Sequence, residues 1–175
     1  MRGERMDLKK RIDVGMHVIY GKNGLCHVTG IQEITFPYVD KKQYYILRPI
    51  SDANSQLYVP CDSEELTAKM RCIMSKEKID EVLCSARGES MLWIEDKNER
   101  HESFQSILSS ANRRDLLLLI GCLYQKKKEK QNSGKRLCAT DDAMLYTAIK
   151  MIEEEFSFSL GISCEDVGSY IRDQL

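Results

Sequence analysis

Gly15-Met16-His17-Val18-Ile19-Tyr20-Gly21, running on into Lys22-Asn23-Gly24, decides the fold: an apolar run enters a glycine-rich turn and reads as a strand. Leu25 to Thr35 follows as a second strand. Cys26 and Val28, then Ile31 and Ile34, are set to face a core, and Gly30 marks a bulge or sharp bend. Gln43-Tyr44-Tyr45-Ile46-Leu47-Arg48 carries aromatic and β-branched residues that suit a pleated, half-buried surface. A polar turn from Ser51 to Ser55 leads back through Gln56-Leu57-Tyr58-Val59-Pro60. Four or five short strands in about 50 residues favour a small barrel over a sandwich, because a short sheet must close or be covered to hide its edges.

Beyond Pro60 the pattern changes to helices. Ser75 is placed to cap a helix reaching about Ala86, with Ile79, Val82 and Leu83 on one face. Arg87-Gly88-Glu89-Ser90 reads as a hinge. A helix from about Leu92 to Leu108 would bury Phe104, Ile107 and Leu108. The next starts near Asn112, where Asn112-x-x-Asp115 resembles a capping box, and runs through Leu116, Leu117, Ile120, Leu123 and Tyr124 into a lysine run. Gln131-Asn132-Ser133-Gly134 ends it. A third, capped by Thr140 or Asp141, would bury Met144, Leu145, Ala148, Ile152 and Phe156. A fourth, capped by Ser163, ends the chain. The fold class is therefore α+β, a small β-barrel followed by an all-helical domain.

Composition bounds the function. The 175 residues are 42% hydrophobic and 30% charged, as in a soluble globular chain. No apolar run approaches a membrane span, and the charged stretch Met1 to Arg11 does not read as a secretory signal, which points to the cytoplasm. Seven scattered cysteines (Cys26, Cys61, Cys72, Cys84, Cys122, Cys138, Cys164) contain no Cys-x-x-Cys pair, so they read as small buried hydrophobes in a reducing compartment and not as metal ligands. The net charge of −1 hides an asymmetry: Lys97 to Arg136 holds ten basic residues against four acidic ones, whereas Leu137 onward holds two against eight. A basic face can attract phosphate even on a neutral protein.

No catalytic constellation is found. His17 and His27 fall on strands and His101 on a helix, none with a local motif; Gly21-Lys22-Asn23-Gly24 lacks phosphate-loop spacing; Glu153-Glu154-Glu155 lies within one helix, points its side chains in different directions and reads as a solvated face, not a metal site. The reading is of a non-enzyme with no cofactor and no metal. Trp93, the only tryptophan, directly follows the hinge. On position alone it is an anchor packing the first helix onto the bundle. Beside a basic helix it can also serve as a wedge, since minor-groove binders insert apolar side chains at partly unstacked steps while cations hold the phosphates.

The order of motifs resembles the CarD family of bacterial RNA polymerase-binding proteins. The likeness runs over about residues 12 to 172: Val14-Gly15-x-x-Val18-Ile19-Tyr20, Gly24, Gly30-Ile31, Tyr44-Tyr45-Ile46-Leu47, Val59-Pro60 and Arg71-x-Ile73-x-Ser75, then Trp93-Ile94-Glu95-Asp96, Leu123-Tyr124-Gln125-Lys126-Lys127 and Glu154-Glu155-Phe156. The resemblance implies a Tudor-like barrel that extends a sheet on the polymerase β subunit. It also implies a helical domain that places a tryptophan at the minor groove by the upstream edge of the promoter bubble, stabilising the open complex. Trp93 looks like that tryptophan. Lys97, Arg100, Arg113, Arg114, Lys126, Lys127, Lys128 and Lys130 would hold DNA backbone beside it. Ile34, Tyr45, Arg48 and Tyr58 would meet the polymerase, with Ile34 and Tyr58 standing where some relatives carry arginines. Relatives also carry basic residues where this chain has Glu95, Asp96, Asp141 and Asp142.

The expected organisation is thus an extension over 1–11, a polymerase-interacting barrel over 12–74, a linking helix and hinge over 75–90, and a helical DNA-binding domain over 91–175. The whole would be a cytoplasmic monomer, drawn to the nucleoid through RNA polymerase. The alternative is an adaptor on RNA polymerase that does not touch DNA.

Overall fold

A computed structural model describes residues 12–37 and 40–174, so the expected extension over 1–11 lies outside the described residues. Five strands come first: β1 (His17–Tyr20), β2 (Leu25–Ile34), β3 (Lys42–Pro49), β4 (Leu57–Pro60) and β5 (Met70–Cys72), with α1 (Glu64–Thr67) between the last two. They form one antiparallel sheet in the order β4-β3-β2-β1-β5. The sheet is barrel-like but does not close, since β4 and β5 remain at its two ends.

Two glycines shape it. Gly24 closes the turn after β1 at φ 69°, with its carbonyl accepting from the Tyr20 N–H at 3.0 Å. Gly30 sits at the expected bulge, where the β2–β3 register shifts between Val28 and Gly30.

Alternation along the strands gives the sheet two faces. Val18, Cys26, Val28, Leu47, Val59 and Met70 fill the inner one. Ile31 and Ile34 do not join this core: Ile31 is 38% exposed and Ile34 half-buried, because they lie past the bulge, where β2 outruns β1.

Five helices follow: α2 (Lys76–Ala86), α3 (Lys97–Ser110), α4 (Arg113–Asn132), α5 (Ala139–Leu160) and α6 (Cys164–Gln174). Their common core contains Phe104, Leu108, Leu116, Leu119, Leu123, Leu145, Ile152 and Phe156. Ser75 and Asn112 cap α2 and α4 as the sequence suggests. α2 is more than a link, because Ile79, Leu83 and Ala86 are part of this core.

α3 starts later than expected. Asp96 accepts from the N–H groups of Asn98 and Glu99, each at 2.9 Å, and this cap leaves Leu92 and Trp93 outside the helix. α5 starts earlier, capped by the Cys138 sulfur in place of Thr140 or Asp141. No described helix is long and apolar enough to cross a membrane. All seven cysteines are free thiols, but only Cys26 and Cys122 are buried, which corrects the expectation that most would be. Burial pushes the Cys26 thiol up to about 11.

The outer face of β1, β2 and β5 is covered by the C-terminal half of α5. Glu154 accepts from the Leu25 N–H at 3.5 Å, the Phe158 ring stands 4.7 Å from that of His17, and Glu155 receives Arg71. Ile19 and Leu25, neighbours in register on this face, are consequently buried. Burial of apolar area on both faces ties the sheet to the helices.

Candidate functional site

Trp93 lies in the irregular segment between α2 and α3, where no helical hydrogen-bond ladder fixes it. Side chains do so. Its ring meets Phe104 edge-on, centroids 6.3 Å apart. The Arg100 guanidinium carbon lies 4.3 Å from the indole centroid and Lys126 Nζ 5.1 Å, so the electron-rich ring attracts one cation from α3 and one from α4. The indole is half-buried against the helical core and borders a cleft of about 200 Å³ lined by Leu92, Gln125, Lys126 and Glu129 among others. It is neither enclosed, as a core anchor would be, nor free.

The expected basic face is divided. Arg100 is 7% exposed and held by Asp141, with Nε and Nη2 donating at 3.4 and 3.2 Å. Arg113 is 4% exposed and donates to Glu155 and to the Ala111 carbonyl. Both were expected on the DNA surface. The structure corrects this: each guanidinium neutralises a buried carboxylate, and neither head is presented to solvent.

Arg114 stands at the opposite end of α4 from the lysines, roughly 18 Å along the axis at 1.5 Å per residue, and bridges to Glu89. Lys126 pairs with Glu129 at 3.4 Å and Lys127 with Asp142 at 2.6 Å. Lys97, Lys128 and Lys130 make no ion pair with a described residue. What remains is Lys126 beside Trp93, with Lys127, Lys128 and Lys130 spread around the last turns of α4. These cations also complement the negative end of the helix dipole.

Sequence reasoning missed Asp141 and Glu155, the partners that withdraw the arginines. The pairs are 41 and 42 residues apart, and no spacing rule spans such a gap.

The residues expected to meet the polymerase lie on the sheet, apart from this group. Ile34, Arg48 and Tyr58 share one face: Ile34 opposes Lys42, His27 opposes Arg48, and Ile46, two residues before Arg48, opposes Tyr58. Tyr45 points the other way, partly buried against the inner core, and burial pushes its hydroxyl above the ordinary value. It is therefore removed from the outward-facing set.

Tyr58, 42% exposed, belongs to an aromatic group that the sequence did not disclose, with Phe36 edge-on to both Tyr44 (5.4 Å) and Tyr58 (5.6 Å). β3 is paired on both sides, so Gln43–Arg48 offers no free edge. Among the described residues, free edges are the outer sides of β4 and β5 and the far half of β2 beyond its pairing with β1.

Comparison with known families adds to this geometry. Residues 12–74 match the family model of the CarD-like/TRCF RID domain. The RID match takes in all five strands and α1, and it stops immediately before the Ser75 cap of α2. The helices that carry Trp93 and the lysines lie outside it. No curated protein matches the chain.

Proposed function

We propose that this protein regulates transcription by docking on the β subunit of RNA polymerase through its RID domain and holding promoter DNA with the Trp93–Lys126 corner of the helical part. The RID match carries the reading, since this domain class interacts with RNA polymerase. An unpaired strand edge on β2 or β4, flanked by Ile34, Arg48 and Tyr58, suits main-chain pairing with a sheet on the partner. The lysines around the end of α4 would engage phosphates without reading sequence. An indole that packs better on unstacked than on stacked bases binds the open state differentially, and only such a difference shifts the equilibrium. About 1.4 kcal/mol of preference shifts closed against open roughly tenfold.

A second reading is an adaptor on RNA polymerase with no DNA contact. It is favoured by the carboxylates that already engage the cations: Glu129 on Lys126, Asp142 on Lys127 and Glu89 on Arg114. One experiment separates the two. The full chain is mixed with purified RNA polymerase and a promoter fragment, and both binding and open-complex lifetime are followed. Binding with a lengthened lifetime that Trp93→Phe shortens supports the first reading. Binding with an unchanged lifetime selects the adaptor, and no binding at all overturns both.

A further inference from the structure

Arg100 makes four hydrogen bonds with one guanidinium, two to the segment that carries Trp93 and two to Asp141 of α5. Nη1 donates to the carbonyls of Ile94 at 2.8 Å and Glu95 at 3.1 Å, the two residues that follow the tryptophan. Nε and Nη2 form the paired contact to both oxygens of Asp141 in the first turn of α5. The same group lies over the indole at 4.3 Å. A charged head this deeply buried is tolerated only when its donors are matched, and here the matching acceptors belong to the irregular segment and to α5. The planar fork of arginine is what makes two carbonyls and one carboxylate reachable together, and a lysine ammonium cannot reproduce it.

We infer that Arg100 is a positioning residue, clamped by Asp141, that fixes the backbone after Trp93 and thereby the orientation from which the indole meets DNA. The inference rests on the proposed reading of Trp93 for its consequence, but the clamp itself is a property of this chain alone. Without it the indole keeps Phe104 and Lys126 as neighbours but loses the tether on its own backbone, and it gains freedom to turn.

Because Trp93 is the only tryptophan, its fluorescence reports this one place without labelling. The experiment compares full-length wild type, Arg100→Lys, Asp141→Asn and the conservative Asp141→Glu. Acrylamide quenching and fluorescence anisotropy report the indole, circular dichroism reports the fold, and open-complex lifetime with RNA polymerase reports function. The expected result is a quenching constant at least about twofold higher in Arg100→Lys and Asp141→Asn, with Asp141→Glu close to wild type. Open-complex lifetime should fall about tenfold in the first two while binding to polymerase is unchanged. Unchanged quenching and anisotropy in both folded variants overturns the clamp, whatever the lifetime does. Raised quenching with an unchanged lifetime instead overturns the reading of Trp93 as the DNA contact. Should Arg100→Lys fail to fold, Asp141→Asn alone decides, since it leaves the arginine in place and removes only its anchor.

Discussion

Glu155 of α5 and Arg71 of β5 join the two halves of the molecule: the buried carboxylate accepts from both terminal nitrogens of the guanidinium at 3.4 Å each. The same carboxylate accepts from the Met74 N–H at 3.1 Å and from Arg113 Nε at the start of α4. Next to it, Ser159 donates to the Met74 carbonyl. Burial pushes the Glu155 carboxyl above its ordinary value, against the opposing pull of Arg71 and the Met74 N–H. The chain thus leaves the sheet through a point where three elements share one charge, and this fixes how the RID domain is held against the helices.

Replacing Glu155 by Gln removes that charge while keeping the volume. Arg113 would then be a buried cation with no carboxylate, and its Nη2 already lacks a partner among the described residues. Breaking a buried pair in this way costs about 3–5 kcal/mol. Urea denaturation of the full chain should show that loss. A change below about 1 kcal/mol would mean that the seam holds without the charge.

Gly24→Ala is expected to destabilise by about 1–3 kcal/mol, the cost of placing a side chain in backbone geometry close to that reserved for glycine. Its φ of 69° and ψ of −144° are the first cause; a methyl colliding with Glu154 Oε2 is the second. The two causes separate in the double variant with Glu154→Ala, which makes room for the methyl. Recovery of less than half the loss is expected. Full recovery would show that the strain is steric and not backbone.

The inner sheet face was legible because alternation places Val18, Cys26 and Val28 on one side, and the caps at Ser75 and Asn112 were legible because they act within three residues. The burial of Ile19 and Leu25 was not. The same alternation assigns them to solvent, and the helix that covers them arrives some 130 residues later, the Leu25–Glu154 contact spanning 129 positions. The candidate site suffered for the same reason. Arg100 and Arg113 count as surface charge in any local reading, since their partners are remote. The start of α3 was misplaced because Trp93 and Leu92 fit a helical pattern, whereas the Asp96 carboxylate, by accepting two backbone N–H groups, sets the boundary after them.

The seam between sheet and helices should also weaken in mild acid. His17 stacks on His27 at 4.8 Å and against Phe158 at 4.7 Å. Burial first, and the charge of His27 second, hold its imidazole below the ordinary 6.5. The unfolded chain therefore takes up this proton at higher pH than the folded one. The contribution is present above 6.5 and lost as pH falls through the lower folded value. Urea midpoints of wild type should drop between about pH 7.5 and about pH 5 by more than those of His17→Gln. Parallel profiles would show that His17 does not carry the effect.

On the proposed reading, the lysines of α4 differ in what they can give to DNA, and their carboxylate neighbours decide it. Lys128 is exposed and makes no ion pair with a described residue, so Lys128→Ala should lower the slope of log affinity against log salt by about 0.9, the value for one lost phosphate contact on duplex DNA. Lys127 is held by Asp142 at 2.6 Å, and a phosphate must compete with that carboxylate for the same ammonium. Asp142→Asn should therefore raise affinity for a nonspecific duplex at low salt by up to about fivefold, the range that an exposed ion pair allows. The gain should vanish in Lys127→Ala, because Asp142 then has no lysine to release. Titrations of the full chain at several salt concentrations measure both effects. An Asp142→Asn variant that binds no better than wild type, or gains equally without Lys127, would place the DNA contact away from the end of α4. Undetectable binding by every variant would select the adaptor reading.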